Sequence, residues 1–251
     1  MSRIIAIIPA RMASTRFPGK PLADILGLPM IEHVRRRVAL APLVNEVVVA
    51  TCDREIAEAV VAGGGRAVMT APTHERCTDR VAEAALGQEA DIVINVQGDE
   101  PLVHPAMLEP LLSPLLAEAT LPCTNLMAKI HSEAEFHSPN VVKTVCDLKG
   151  NALYFSREPI PSLSKAGGLV FAKYKQLGII AFRREFLQCF TNLPPTPLEQ
   201  VESVDMLRAV EHGYPVRMVE TSFDVVGVDT PEDLARAKQL METDPLFPSY
   251  R

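Results

Sequence analysis

The sequence predicts an α/β fold on a mixed, mostly parallel central sheet, and three features carry that prediction. Short apolar runs alternate with amphipathic stretches from residue 3 to residue 97, the pattern of successive βαβ units. The run Ile4-Ile5-Ala6-Ile7-Ile8 is apolar at every position, as a strand covered on both faces requires. After about residue 120, extended runs follow one another directly, which predicts antiparallel pairing in a mixed sheet or a small lobe.

Taken in order, a strand over 3–10 is followed by a long loop, and helical periodicity resumes at 30–41. There Ile31, Val34, Val38 and Ala41 share one stripe, and Arg35 and Arg36 are expected to face solvent. A strand at 46–51, a helix at 54–62, a strand at 66–70, a helix at 78–86 and a strand at 91–96 continue the alternation. Extended runs are expected at 124–130, 141–147 and 151–156. Residues 159–168 are rich in Pro, Ser, Lys and Gly and read as a loop that could gate a substrate. A strand at 175–182 precedes a helix at 198–212, in which Val201, Val204, Leu207 and Val210 turn to the core and Glu199, Glu202 and Asp205 occupy the other flank. After a strand at 216–221, a last helix opens with Thr230 as N-cap, Pro231 in the first helical position and Asp233 completing a capping box.

At 251 residues the chain is expected to form a single domain, 1–251, with a lobe at roughly 120–190 that could carry a dimer contact. Its 25 basic against 31 acidic residues give a net charge of −6, which leaves no basic face for a nucleic-acid backbone. Five widely spaced cysteines without a C-x-x-C pair argue against a disulfide framework and a thiolate zinc site. The expected compartment is the cytoplasm, because the early apolar stretch is too short for a signal segment or a membrane span.

The chemistry concentrates at the expected ends of strands. The loop Arg11-Met-Ala-Ser-Thr-Arg-Phe-Pro-Gly-Lys20 follows the first buried strand, where ligands of open α/β sheets bind, so Arg11, Arg16 and Lys20 could converge on a phosphate chain. The same loop could be a solvated basic turn; its position after the strand favours binding. Lys20 is followed by Pro21 and no G-x-G-x-x-G is present, which disfavours a P-loop ATPase or a nicotinamide enzyme. Asp99 ends another strand and Asp229 lies just before the last helix. Two such carboxylates suit a magnesium ion that also takes triphosphate oxygens. Each also has a structural reading, Asp99 as a turn residue and Asp229 as an acid favoured near a helix N-terminus.

Several motifs together resemble the 3-deoxy-manno-octulosonate (Kdo) cytidylyltransferases. They are Ile8-Pro9-Ala10-Arg11 with Ser14-Thr15-Arg16-Phe17-Pro18-Gly19-Lys20-Pro21-Leu22, then Asn95-Val96-Gln97-Gly98-Asp99-Glu100-Pro101, Ala152-Leu153-Tyr154-Phe155-Ser156-Arg157 and Val228-Asp229-Thr230-Pro231-Glu232-Asp233-Leu234. The resemblance spans nearly the whole chain. It implies a Rossmann-like three-layer nucleotide-diphospho-sugar transferase fold, a homodimer, and CMP transfer from CTP to an acidic sugar for lipopolysaccharide biosynthesis, with Mg2+ as cofactor and no membrane or nucleic-acid partner.

Mapped onto this chain, the resemblance implies that Pro9, Ala10, Arg11, Ser14, Arg16, Lys20, Arg76 and Gln97 bind the nucleotide. Asp99 and Asp229 would hold metal, with Lys20 beside them in catalysis. Gln97, Tyr154, Arg157, Gln176, Glu199 and Glu202 would meet the sugar, although the two glutamates also fit an ordinary surface helix. Gln176, Ile180 and Phe182 depart from the family's sugar-lining strand, where His and Tyr are frequent, and Cys77 replaces a small residue in the nucleotide-side pattern Cys77-Thr78-Asp79-Arg80. The identity of the sugar acid, amino-substituted or of another chain length, therefore stays open.

Overall fold

The computed structural model describes residues 2–13 and 16–251. The chain falls into two compact units, Met1–Glu109 with Val225–Arg251, and Pro110–Asp224.

In the first unit the chain order is β1 (Ile4–Ala10), a small hairpin of β2 (Asp24–Ile25) and β3 (Leu28–Pro29), α1 (Met30–Ala39), β4 (Glu46–Thr51), α2 (Arg54–Ala62), β5 (Arg66–Met69), α3 (Cys77–Leu86) and β6 (Ile92–Asn95). These strands lie in the order β6-β1-β4-β5 and every neighbouring pair is parallel. Ile7 stands opposite Val48 on one side and Asn95 on the other, so β1 is central and buried at every position. Each fully buried isoleucine there contributes about 1.5–3 kcal/mol.

The stripe expected on α1 is present, with Ile31, Val34, Val38 and Ala41 all buried. Arg35 and Arg36 do not face solvent as expected. Glu32, on the same helix, is itself buried, and its carboxylate needs compensation. Arg35 donates Nε to Glu32 Oε1 at 2.7 Å and Nη2 to Oε2 at 2.7 Å, and Arg36 Nε donates to Oε2 at 2.9 Å.

The second unit begins near α4 (Leu108–Ala117) and continues with β7 (Cys123–Lys129), α5 (Glu133–His137), β8 (Lys143–Cys146), β9 (Ala152–Ser156), β10 (Tyr174–Arg183), α6 (Arg184–Asn192), α7 (Pro197–Glu202), α8 (Met206–Glu211) and β11 (Val216–Thr221). β7 pairs antiparallel with β10 and parallel with β11, and β8 pairs antiparallel with β9. The three extended runs therefore exist, but the first pairs with later strands and not with the second. Phe182 is fully buried beside Phe186 and Phe190, with centroids 6.4 and 6.0 Å away, and so belongs to an aromatic core.

The single helix expected at 198–212 is two short ones, and this corrects the reading of its faces. Ser203 adopts φ 52, ψ 50, the left-handed region, which ends α7 and redirects the chain into α8. Val201 is consequently 83% exposed and Glu199 only 1%. Val204 and Leu207 keep their expected burial because they lie beyond the break.

The chain then returns to the first unit with α9 (Pro231–Glu242). The capping box is formed as the sequence predicts: Asp233 N–H donates to Thr230 Oγ1 at 3.2 Å and Thr230 N–H to Asp233 Oδ2 at 3.0 Å. Val228, Ala237 and Met241 pack with Ile25 and Met30 in one apolar cluster that fastens this segment to the unit.

Candidate active site

The loop after β1 is closed on itself. Gly19 sits at φ 75, where a side chain would be strained, and its N–H donates to Met12 O at 3.0 Å. Leu22 N–H donates to Gly19 O at 3.0 Å, and the turn so made places Lys20 at the loop's end with Pro21 in the first turn of a short 3-10 helix. Across from it, Gly98 follows β6 where the backbone of β1 passes very close. A Cβ on Gly98 would lie 2.7 Å from Pro9 O and 3.3 Å from Ile31 Cδ1, so only glycine lets Asp99 emerge at this point.

Lys20 joins three parts of the unit. Its ammonium donates to Asp99 Oδ2 at 2.6 Å, to Val228 O at 3.0 Å and to Asp229 Oδ1 at 3.1 Å. The two carboxylates singled out in the sequence thus share one cation. Burial disfavours the charge on Lys20, but Asp99 and then Asp229 outweigh it and hold the amine above its ordinary value. Asp229 is itself anchored, because its N–H donates to Asp233 Oδ2 at 3.1 Å, which ties it to the capping box of α9. Arg16 Nη2 donates to Asp229 Oδ2 at 2.9 Å on the exposed side. Beside Asp99, burial pushes the Glu100 carboxyl up to about 8, with the charge of Asp99 adding to the effect, so Glu100 is largely neutral at pH 7.

Arg16, Lys20 and Asp99 line an open cavity of about 680 Å³ in the first unit, and Asp229 stands behind them, joined through Lys20 and Arg16. Pro9, Ala10, Arg11, Arg16, Lys20, Arg76, Gln97 and Asp99 all line the cavity, which gathers the expected nucleotide residues from three strand ends. Ser14 lies outside the described residues. His74 and Glu75, which the sequence did not single out, line the same cavity, and so do Cys77 and Arg80 of the nucleotide-side pattern. Arg80 is 3% exposed, and donates to Thr70 Oγ1 and to Ala71 O. His74 pairs with Glu83, which also accepts from Ala71 N–H at 2.9 Å. The signal was available: these residues occupy or follow the turn after β5, the third carboxyl end in the parallel set.

The expected sugar residues lie in the second unit. Glu202 accepts from Tyr154 OH at 3.2 Å, Ser156 Oγ at 2.8 Å and Arg157 N–H at 2.8 Å. Arg157 in turn donates Nε to Glu202 O at 2.6 Å and Nη1 to Pro139 O at 2.9 Å. Tyr154, Arg157 and Glu202 are therefore brought together. Gln176 donates Nε2 to Asn125 Oδ1 at 2.7 Å, while Asn125 Nδ2 donates to Leu177 O at 2.7 Å and Ile179 O at 3.1 Å, at the bulge in β10. Glu199 is set apart from this group: both its oxygens are held by Arg208, at 2.6 and 2.8 Å, inside the unit. Its carboxylate serves the packing of α7 on α8 and presents no face to a ligand.

A family described as Cytidylyltransferase matches residues 5–222. The 3-deoxy-manno-octulosonate cytidylyltransferase of Geobacter metallireducens is 52% identical, covering 92% of this chain and 95% of that protein. The protein of the same name from Geobacter sulfurreducens is 49% identical over 95% of this chain and 99% of its own length. A solved structure of CMP:2-keto-3-deoxy-manno-octonic acid synthetase complexed with CTP superposes with a TM-score of 0.91 at 43% identity, covering 96% of this chain and 99% of that one. The fold is thus that of the nucleotide-sugar transferases, with a mixed, mostly parallel central sheet. With identity this high over nearly the full length, and a basic loop gathered with Asp99 at one cavity and joined through Lys20 to Asp229, the chain belongs to the cytidylyltransferase family.

Proposed function

We propose that this chain transfers CMP from CTP to the anomeric hydroxyl of 3-deoxy-D-manno-octulosonate, releasing pyrophosphate and supplying CMP-Kdo to lipopolysaccharide biosynthesis. The observation that carries this reading is the meeting of Asp99, Asp229 and Lys20 at the cavity's edge, in a chain whose relatives bear that activity in their names.

Magnesium fits the donor set. Two carboxylate oxygens and a backbone carbonyl converge on a single cation, the Lys20 ammonium, and a small hard divalent ion characteristically takes one or two protein carboxylates and completes its shell with phosphate oxygens and water. Among the described residues no group of three or more His, Cys, Asp or Glu forms an all-protein cage, consistent with an ion shared with the nucleotide. Asp99 and Asp229 would hold the ion, which when bound supplies neutralisation of the triphosphate and activation of the sugar hydroxyl.

The chain's own groups divide the remaining work. Arg11 and Lys20 offset the negative charge that accumulates on the transferring and departing phosphates. Pro9, Ala10, Gln97 and Arg76 border the space in which base and ribose would lie. Glu202 holds Tyr154 and Arg157 for the sugar acid, whose carboxylate matches the guanidinium. In the reaction the anomeric oxygen forms a bond to the α-phosphorus, the bond to the bridging oxygen of pyrophosphate breaks, and the hydroxyl proton is released. No covalent enzyme intermediate is needed.

Cytoplasmic placement and a homodimer belong to the same reading. Five widely spaced cysteines without a C-x-x-C pair fit a reducing compartment. Leu169, Val170 and Phe171 are 71%, 95% and 47% exposed, an apolar strip suited to a second copy.

The test is pyrophosphate release from CTP with a panel of sugar acids. Kdo should be the preferred acceptor; a higher kcat/KM with an amino-substituted or nine-carbon acid would move the assignment to a sister enzyme, and no release with any acid would end it. Lys20→Ala should raise the KM for CTP about tenfold and flatten its dependence on salt, because one phosphate-facing charge is gone. An unchanged nucleotide affinity would remove Lys20 from the site, and with it the nucleotide reading of this cavity.

A further inference from the structure

The residue that opens α2 is built for one task and performs another. Asp53 occupies the N-cap position, with φ −103 and ψ 123, where an aspartate ordinarily accepts a hydrogen bond from the first turn of its own helix. It makes no such bond. Its Oδ2 instead accepts the N–H of Met12, 41 residues away, at 2.7 Å. The backbone that carries this carboxylate is fixed from behind, since Asp53 N–H donates to Oγ1 of Thr51, a fully buried residue at the end of β4, at 3.0 Å.

Met12 is the hinge of the basic loop. Its N–H is held by Asp53 and its carbonyl by Gly19 N–H at 3.0 Å, so one peptide neighbourhood fixes both the departure of the chain after Arg11 and its return at Lys20. Arg11 and Lys20, on either side of this clasp, both line the cavity. Short, charge-assisted hydrogen bonds from backbone N–H to carboxylate are among the stronger ones available to a partly exposed loop.

We infer that Asp53 is a positioning residue for the nucleotide: its carboxylate holds the loop so that Arg11 and Lys20 are presented together, without itself touching the ligand. If the loop is set correctly only about a tenth of the time once the anchor is lost, the apparent affinity for CTP falls by the same factor. The sugar acid, bound by other residues, is unaffected. This inference rests on the cavity being the CTP site.

The discriminating variant is Asp53→Ser. Asp53 gives α2 no side-chain cap to lose and serine suits the N-cap position, so the melting temperature stays near that of the parent, but the hydroxyl is too short to reach Met12. In steady-state assays of the full chain with magnesium, CTP and Kdo, the KM for CTP should rise about tenfold while the KM for Kdo stays within twofold. Asp53→Asn, which keeps an acceptor of the same length, should return the KM for CTP to within about threefold of the parent. A folded Asp53→Ser enzyme with an unchanged KM for CTP overturns the inference, and so does an equal rise in both KM values, which marks general damage. Should Asp53→Ser not fold, Asp53→Ala decides: a KM for CTP raised about tenfold with the KM for Kdo within twofold, returned towards the parent's in Asp53→Asn, supports the anchor, and an unchanged KM for CTP overturns it. Lys20→Ala separates the two levels: if it weakens CTP binding and Asp53→Ser does not, only the role of Asp53 fails, whereas an unchanged affinity in Lys20→Ala removes the nucleotide reading of the cavity itself.

Discussion

Asp99→Ala is expected to lose on the order of 10²-fold or more in turnover while remaining folded. The side chain stands at the exit of β6 beside Gly98, a third exposed, and pairs with Lys20 at 2.6 Å. Removing it leaves Lys20 with Asp229 and the carbonyl of Val228, so no buried charge is stranded and stability changes little. Turnover should fall for a different reason: one of the two carboxylates proposed to hold a divalent ion against the triphosphate is gone. The measurement is kcat at saturating CTP, Kdo and magnesium, alongside a thermal melt. Near-normal turnover in a folded Asp99→Ala protein would refute the metal assignment.

Glu199→Ala is expected to act in the opposite way, with a loss of roughly 3–5 kcal/mol in stability, because truncation leaves the guanidinium of Arg208 buried without its counter-charge. Glu199 and Arg208 side chains are 1% and 8% exposed, and the pair is bidentate at 2.6 and 2.8 Å. Arg208 also lies over the Phe190 ring, 5.1 Å from its centroid, so the charge has no route to solvent without disturbing the aromatic core. Denaturant unfolding should show the loss, and adding Arg208→Met should recover part of it, since the stranded charge is removed along with its partner. A loss below about 1 kcal/mol in Glu199→Ala would mean that the pair opens to water and that Glu199 is available to a ligand after all.

The contrast between these residues shows what the sequence could and could not tell. The parallel set was legible because β1, β4 and β6 are apolar runs at regular intervals, and α9 was legible because Thr230, Pro231 and Asp233 announce a helix start by chemistry alone. α4 escaped notice because Pro110 and Pro114 interrupt an otherwise helical segment. The break at Ser203 left no trace, since a serine in the left-handed region is indistinguishable in sequence from any helical serine, and missing it exchanged the buried and exposed sides of α7. At the site, Lys20, Asp99 and Asp229 were readable from their places at strand ends and a helix start. Asp53 was not, because as a residue between a strand and a helix its obvious duty was local, and only coordinates reveal that the carboxylate reaches elsewhere.

The return of residues 225–251 to the first unit governs when a nascent chain becomes competent. Lys20 emerges from the ribosome early and can close its loop at once, yet one of its partners stands 209 positions later. Translation must be almost finished before the acidic pair exists, so a fragment halted by a premature stop before residue 225 would carry the basic loop and lack its second aspartate.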